Sequence, residues 1–304
     1  MKDNLIRFDW AIKRLLRQKA NFVVLEGLLS VLLEEDIHIE RILESEGNQE
    51  TYDDKFNRVD ILAENANGEL IIVEVQNNRE LDYFHRMLYG TSKIITEYIK
   101  QGETYGTIRK VYSVNIVYFD LGQGKDYAYH GKTTFKGIHY HDVLQLSHSQ
   151  QKQFLFREAG EIFPEYYILR VDRFNQLATT PLEQWVSFLK TGEIPAGATA
   201  KGLLEARDRL RVDRMDEADR VAYHRHMEAL TYQASVIGST LFEGREEGLT
   251  EGIAIGLARG REEGRAEGEK MKQIEIARNM KQAGIPAEQI ASLTGLPVEV
   301  IKQI

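Results

Sequence analysis

The chain has 304 residues and no cysteine, which excludes disulfides, thiolate metal sites and cysteine nucleophiles and is typical of a reducing compartment. Its formal net charge of −8 counts against an extensive basic nucleic-acid-binding face, but leaves room for a local one. No apolar run approaches the ~20 residues of a membrane helix, and the polar start MKDNLIRFDW is not typical of a signal peptide. We therefore expect a soluble, cytoplasmic protein that does not bind membranes.

Two helices are predicted first. Apolar side chains at helical spacing mark the first helix; they are Leu5, Phe8, Ile12, Leu15 and Leu16. Asp3 or Asn4 can cap its start. The second helix is expected to begin at Asn21 and to include VVLEGLLSVLL, and an acidic connection over about residues 44–55 follows it.

A strand pair comes next, in the segment VDILAENANGELIIVEVQ of residues 59–76. An amphipathic helix is predicted over residues 81–100, ended by the Gln101-Gly102 step. Residues 110–119, KVYSVNIVYF, predict a buried strand. Weaker strands are expected near residues 127–129, 137–141 and 166–171, and helices dominate from Leu182. This order of elements predicts an α/β fold with a mixed sheet.

The last quarter has a different pattern. Glycine recurs every fourth residue from Gly244 to Gly268, mostly between Arg, Glu and Ala. Each glycine inside a helix costs about 1 kcal/mol relative to alanine, so a lone helix needs compensation from close backbone packing. The row is either a self-association segment, in which glycines let helices approach closely, or a solvated helix that spaces the two ends.

The C-terminal residues 271–304 resemble a helix-turn-helix unit. Gly284 and Gly295 mark breaks, and Pro286 and Pro297 are expected in the first turns of the following helices. Eight apolar residues can form one small core; they are Ile276, Met280, Ile285, Ile290, Leu293, Leu296, Val300 and Ile301. With few basic side chains available for base contacts, a packing or dimerisation unit is favoured over a DNA reader. The predicted domains are 1–235, 236–270 and 271–304.

Polar residues interrupt the strand pair at one end, and the register of the hairpin decides what they do. A two-residue turn at Asn67-Gly68 places Asp60 opposite Val75 and directs Glu74 to the other face. A three-residue turn with a left-handed Gly68 shifts the pairing by one residue. Asp60 then lies opposite Glu74, and Gln76 shares their face.

Two facing carboxylates in an apolar sheet repel each other, and one of them binds a proton unless a cation intervenes. Mg²⁺ suits such a position, because it prefers oxygen ligands and often takes only one or two protein carboxylates. The backbone carbonyl of Val75, between Glu74 and Gln76, can supply another ligand. The alternative is that Asp60 and Glu74 are each solvated or salt-bridged at a strand end.

These residues resemble the PD-(D/E)XK nuclease superfamily, in which an Asp ends one strand and (D/E)-x-K follows on the next. Gln76 stands where the lysine is expected. The wider context is similar to one branch, the recombination-promoting nuclease (Rpn) or transposase-like family. Matching segments are DWAIK at 9–13, GE at 68–69, EVQN at 74–77, DYFHRMLYG at 82–90, QGETY at 101–105 and the strand at 110–119.

This resemblance implies a PD-(D/E)XK α/β core, a mixed sheet flanked by helices, followed by an all-α tail. It implies a Mg²⁺-dependent DNA endonuclease, with Mn²⁺ able to substitute. Asp60 and Glu74 would hold the metal with the Val75 carbonyl, with Gln76 as the third catalytic residue. Glu26 is a further candidate ligand. The alternative is that Glu26 lies at the polar edge of its helix and binds no metal.

Positive charge for the phosphate is expected from Arg86 and Lys93, which share a helical face, and from Arg79. The alternative interpretation is that these three side chains are ordinary surface charges with no role at the phosphate. Asp9 and Lys13 are candidates for accessory residues of the site. The alternative is that they form an ion pair within their own helix.

A competing interpretation is a non-catalytic nucleic-acid-binding or assembly protein that uses its tail to oligomerise. Under both interpretations we expect the tail to form dimers or higher oligomers. The residues do not distinguish DNA from RNA.

Overall fold

The computed structural model describes residues 5–43, 59–99, 103–154 and 156–304. The expected caps Asp3 and Asn4, the acidic connection over residues 44–55 and the Gln101-Gly102 step lie outside the described residues. The chain divides into two compact units, with the boundary between His224 and Arg225. None of the described helices combines the length and the apolar character needed to span a lipid bilayer.

In the part of the chain that the structure describes, six strands form one mixed sheet in the order β1-β2-β3-β4-β6-β5. The strands are β1 Ile39–Leu43, β2 Ile61–Asn65, β3 Leu70–Gln76, β4 Val111–Val117, β5 Ala128–Gly131 and β6 Glu165–Arg170. β3, β4 and β6 run parallel, and the remaining neighbours pair antiparallel. The carboxyl ends of the parallel strands therefore share one edge of the sheet.

Helices flank this sheet, as the sequence predicts for an α/β fold. Those that begin before residue 217 are α1 Phe8–Arg14, α2 Phe22–Leu33, α3 Tyr83–Glu97, α4 His148–Phe154, α5 Pro181–Thr191 and α6 Leu203–Arg209. They are followed by α7 Glu217–Gln282, α8 Ala287–Thr294 and α9 Val298–Gln303. The predicted helix over residues 81–100 corresponds to α3, and the predicted strand over residues 110–119 to β4.

The strand predicted over residues 137–141 is wrong. The segment forms a turn, in which the Gly137 amide donates to the Asp142 carbonyl at 2.9 Å and the His141 amide to the Gly137 carbonyl at 3.0 Å. His141 has a left-handed φ of 57°. A strand needs a neighbour with which to share hydrogen bonds, and the sheet edge on this side is β5.

The hairpin adopts the three-residue turn. The Asn65 amide donates to the Glu69 carbonyl at 3.1 Å, and Gly68 has a φ of 77°. Ile61 pairs with Val73 in the ladder, so the same register places Asp60 opposite Glu74. Of the two registers that the sequence leaves open, the structure therefore has the one that aligns the two carboxylates.

Both faces of the β2–β3 pair are buried, which confirms that the pair is interior to the sheet. On one face Leu62, Leu70 and Ile72 pack with Ile94 of α3. The other face is fully buried along β2, β3 and β4; its side chains include Ile61, Ala63, Ile71, Val73, Val114 and Ile116. Val59 also packs with the Leu62 cluster, although strict alternation from Ile61 would direct it to the second face, because Val59 precedes the ladder.

The second unit contains most of α7 together with α8 and α9. The glycine row lies inside α7, and a Cβ added at any of its glycines would meet no described atom within 4 Å. Nothing in the described single chain therefore compensates the helix-weakening effect of the row.

Ala277, Ile290, Leu296 and Ile301 form the small core of the second unit. Met280 and Ile285 pack against that core as predicted, whereas Leu293 is 68% exposed and Ile276 is 42% exposed. Those two core predictions are wrong, since the residues lie on the outer faces of their helices. Pro286 and Pro297 are the N-cap residues of α8 and α9 rather than first-turn residues.

Gly27 marks a close approach of α2 to another backbone segment in the first unit. A Cβ at Gly27 of α2 would come within 2.4 Å of the Lys201 carbonyl oxygen and 2.5 Å of the Gly202 Cα. We expect Gly27→Ala to lower the free energy of unfolding by about 1–3 kcal/mol, because backbone atoms must move apart. Thermal and urea unfolding measure this loss.

Gly238→Ala is the matched control, because Gly238 is helical and meets nothing within 4 Å. This substitution is expected to leave stability unchanged or to raise it. Equal stability of the Gly27→Ala variant and the wild type would contradict the close approach of α2 to the segment before α6.

Candidate active site

Asp60 lies just before β2, at the sheet edge where β3 ends. Its side chain is 14% exposed, and its Oδ2 accepts a hydrogen bond from the Val75 amide at 2.7 Å. The amide and carbonyl of one strand residue point to the same side of the strand, so the Val75 carbonyl also faces the Asp60 side. The predicted ligands Asp60 and Val75 are thus neighbours.

Glu74 is a buried carboxylate, and few neighbouring groups offset the cost of burying its charge. It is 9% exposed, and no described residue donates a hydrogen bond to it. The nearest cation is Arg86, whose Nη2 lies 3.8 Å from the Glu74 Oε2. Burial, followed by repulsion from Asp60, raises the pKa of Glu74 to about 8. Near neutral pH, Glu74 therefore keeps a proton unless a cation offsets these two effects.

Helix α1 places two polar side chains, one turn apart, at the sheet edge where β2 begins and β3 ends. Asp9 is buried, and it accepts hydrogen bonds from Arg7 Nε at 3.0 Å and Asn77 Nδ2 at 2.9 Å. The Lys13 Nζ lies 3.6 Å from the Asp60 Oδ1. The accessory pair predicted from the sequence is therefore located at the site: Asp9 holds the segment after Gln76, and Lys13 faces Asp60.

Arg17, which the sequence argument missed, also contacts this end of β2. Its Nη2 donates to the backbone carbonyl of Asp60 at 2.5 Å. Only the helical spacing of Lys13 and Arg17, one turn apart, hints at this contact in the sequence.

Gln76 connects to Arg86 through a carboxylate. The Gln76 Nε2 donates to the Glu80 Oε1 at 2.5 Å, and the Arg86 Nη1 donates to the same oxygen at 2.8 Å. Burial alone would lower the pKa of Arg86, but Glu74 and Glu80 outweigh it and raise that pKa. Arg86 is thus a fixed positive charge beside Glu74, and Gln76 belongs to the network that orients it.

A buried polar group on β4 was also missed. Asn115 is the β4 neighbour of Glu74 in the parallel ladder, and it accepts a hydrogen bond from the Tyr83 hydroxyl at 3.2 Å. Its amide donates to the Ser113 hydroxyl at 3.0 Å. Together with Glu74 and Arg86 these residues line a cavity of about 10 Å³, the size of a single water molecule. The signal in the sequence is Ser and Asn alternating within KVYSVNIVYF.

The other predicted site residues have partners elsewhere or are exposed. Glu26 accepts a hydrogen bond from the Ile39 amide at 2.8 Å, which ties α2 to β1. Lys93 pairs with Glu97 at 3.8 Å within α3. Arg79 is exposed. Among the described contacts, none of these three residues forms a hydrogen bond or ion pair with Asp60 or Glu74.

The donor set fits a hard divalent cation held partly by water. Across residues 5–43, 59–99, 103–154 and 156–304, no group of three or more His, Asp and Glu side chains is placed to hold a metal ion. Asp60, Glu74 and the Val75 carbonyl offer oxygen ligands only. Mg²⁺ usually binds through one or two carboxylates and keeps several waters, whereas a closed zinc site needs four ligands, mostly His and Cys.

Comparison with known families identifies the family of the chain. A sequence model of the family described as PD-(D/E)XK nuclease family transposase matches residues 6–240. The chain belongs to this family. The match extends over α1, the six described strands and the first part of α7, so it contains every residue placed at the site above. No curated protein and no solved structure matches the chain.

Within the PD-(D/E)XK pattern, Gln76 replaces the lysine of the (D/E)-x-K motif. The structure brings two other cations to the carboxylates, Lys13 from α1 and Arg86 from α3. Both lower the pKa of Glu74, against the larger effects of burial and Asp60. Positive charge therefore reaches the two carboxylates from two helices, α1 and α3.

The raised pKa of Glu74 makes the stability of the metal-free protein depend on pH. Folding favours protonated Glu74, so this contribution is fully present below about pH 4.5 and is lost as pH rises towards about 8. The slope is at most about 1.4 kcal/mol per pH unit. Glu74→Gln removes this pH dependence, because glutamine does not titrate. In EDTA we therefore expect the stability of the variant, relative to that of the wild type, to rise between about pH 4.5 and pH 8.

Urea unfolding between pH 5 and 9 measures this difference between the two proteins. Added Mg²⁺ is expected to stabilise the wild type more than Glu74→Gln. A gap between them that is the same at every pH would show that Glu74 titrates at its ordinary value.

Proposed function

We propose that this PD-(D/E)XK protein is a Mg²⁺-dependent DNA endonuclease with a recombination-promoting or transposase-like role. The observation that carries the proposal is the pairing of Asp60 with a buried Glu74 whose pKa is raised to about 8. Such a pair is costly without a cation, and Mg²⁺ at phosphodiester-cleaving sites is commonly held by one or two carboxylates together with the substrate phosphate. Mn²⁺ is expected to substitute for Mg²⁺.

Asp60, Glu74 and the Val75 carbonyl would hold the cation, which supplies charge for the phosphate and activates a water when bound. The Val75 amide fixes one oxygen of Asp60 at 2.7 Å, so the carboxylate is oriented before any ligand arrives. Asn115 and Tyr83 line the buried side of Glu74 and exclude bulk water from it.

Lys13 is the best candidate for the ammonium that Gln76 cannot supply. Its side chain is 51% exposed, so it can turn from Asp60 to a phosphate oxygen once a cation neutralises that carboxylate. Arg86 is less mobile, since Glu80 and Glu74 hold it from two sides. We assign Lys13 to the developing charge on the phosphate and Arg86 to orienting Glu74.

Nicking of supercoiled plasmid with Mg²⁺, Mn²⁺, Ca²⁺ and EDTA tests these roles. Cleavage is expected with Mg²⁺ or Mn²⁺, and it should vanish in Glu74→Ala and Asp60→Ala. Loss of a charge-stabilising group typically costs about 10²–10³ in rate, so Lys13→Met is expected to fall in that range and Lys13→Arg to retain part of the activity.

Lys152→Met is the control for removal of an exposed lysine, because Lys152 lies on α4 away from the site. Cleavage that survives both Glu74→Ala and Asp60→Ala would place the active site elsewhere. Assays with RNA in place of DNA decide between the two polymers, which the phosphate-binding groups do not distinguish.

The second candidate function is assembly without catalysis, through the tail. The glycine row of α7 faces open space, while apolar side chains such as Leu249 and Ile253 are 58% and 55% exposed on the same helix. Close approach of a second copy would cover both. The same contact between two tails would also serve a protein that cleaves DNA, because a dimer carries two sites and can cut two strands.

We expect the double change Gly252→Leu with Gly256→Leu to dissociate the oligomer measured by light scattering. Leucine raises helix propensity, so a lost contact, rather than a melted helix, would be the cause. A chain ending at residue 240 should also be monomeric. An unchanged oligomeric state in both proteins would leave α7 as a solvated spacer.

A further inference from the structure

A second, larger pocket lies on the α3 side of the sheet. It has a volume of about 370 Å³ and apolar walls. Phe84, Met87 and Leu88 of α3 form one wall, and Tyr129 of β5 with Tyr166 and Ile168 of β6 forms the other. The volume is within the range of small-molecule sites, and no role in the cleavage chemistry uses these residues.

Three large side chains of this pocket lie outside the folded core, whereas Met87 belongs to it. Phe84 is 50% exposed, Leu88 is 59% exposed and Tyr129 is 38% exposed. An exposed cluster of aromatic and apolar side chains in a concave site is typical of a binding surface.

The sheet register fixes the distance from this pocket to Glu74. Glu74 pairs with Asn115, Asn115 with Ile168, and Ile168 with Tyr129, so the four residues form one row across four strands. Neighbouring strands are about 4.8 Å apart, which places Ile168 about 10 Å and Tyr129 about 14 Å from Glu74. That separation is a few nucleotides along a DNA strand.

Helix α3 links the two sites directly. Met87 lines both this pocket and the small cavity beside Glu74. The first turn of α3 carries Phe84 towards the pocket, and Arg86 faces Glu74. The site at the carboxylates and the pocket therefore share helix α3 as a common wall.

The ring of Tyr129 is held in place by its neighbours and can serve as a stacking surface. Its hydroxyl accepts a hydrogen bond from the Asp126 amide at 3.1 Å, and the Arg170 guanidinium lies 6.0 Å from the ring centroid. A ring held in this way loses little conformational entropy when a planar group stacks on it.

We propose that this pocket binds an unpaired nucleobase of the DNA whose phosphate lies at Asp60 and Glu74. This inference rests on the proposed nuclease function. Aromatic and apolar walls match the faces of a base, and stacking of this type is tolerant of sequence. A base inside a duplex does not present its faces, so the pocket selects single-stranded, flipped or mismatched nucleotides near the cut.

Equilibrium binding in Ca²⁺, followed by fluorescence anisotropy, tests the pocket without cleavage. One probe is a duplex with three unpaired nucleotides at its centre, and the second carries an abasic site at each unpaired position in turn. For the wild type, the abasic change at one position is expected to weaken binding about tenfold, the usual effect of one lost stacking contact.

Phe84→Ala is expected to weaken binding of the intact probe by a similar factor and to abolish the further effect of the abasic site. Binding of fully paired duplex should be unchanged. Leu81→Ala is the matched control, because Leu81 is 90% exposed just before the same helix and does not line the pocket.

Equal affinity of the wild type for intact and abasic probes would overturn the base pocket and leave the nuclease proposal standing. A changed oligomeric state of Phe84→Ala, with unchanged DNA binding, would assign the pocket to a second copy of the chain. Absence of binding to every probe, together with absence of plasmid nicking, would overturn both proposals.

Discussion

A three-residue turn with Gly68 in the left-handed region places Asp60 opposite Glu74, and the chemistry of the site depends on that register. A shift of one residue would pair Asp60 with Val75 and turn Glu74 to the other face. Both faces of the hairpin are buried, so the register that buries the apolar side chains also drives the two carboxylates together. The fold thereby creates the repulsion that a cation would relieve.

The surrounding elements limit this repulsion without removing it. Lys13 of α1 lies beside Asp60 and Arg86 of α3 lies beside Glu74, yet burial and Asp60 still raise the pKa of Glu74 to about 8. Full neutralisation by the protein's own cations would leave no driving force for a metal. Because Lys13 and Arg86 offset the charge of the two carboxylates only in part, exchange of the Glu74 proton for a divalent ion remains energetically favourable.

Local patterns in the sequence predicted the helices and the central strands, because side-chain periodicity acts over a few residues. They left two registers of the hairpin open, and the structure adopts the one that aligns Asp60 with Glu74. The contacts of Lys13 and Arg17 with Asp60, and the Gln76–Glu80–Arg86 network, depend on how helices pack on the sheet. No local pattern encodes that packing. The strand predicted at residues 137–141 failed for a related reason, since alternation alone does not supply a neighbouring strand.

The pKa of Glu74 is the quantity on which this account depends most directly. Carboxyl ¹³C chemical shifts of glutamate in the metal-free protein, assigned by comparison with Glu74→Gln, would follow its titration. We predict a midpoint near 8 in EDTA that moves well below neutral pH when Mg²⁺ is added. A midpoint near the ordinary value of about 4.3 for glutamate, unaffected by Mg²⁺, would contradict a metal centre between Asp60 and Glu74.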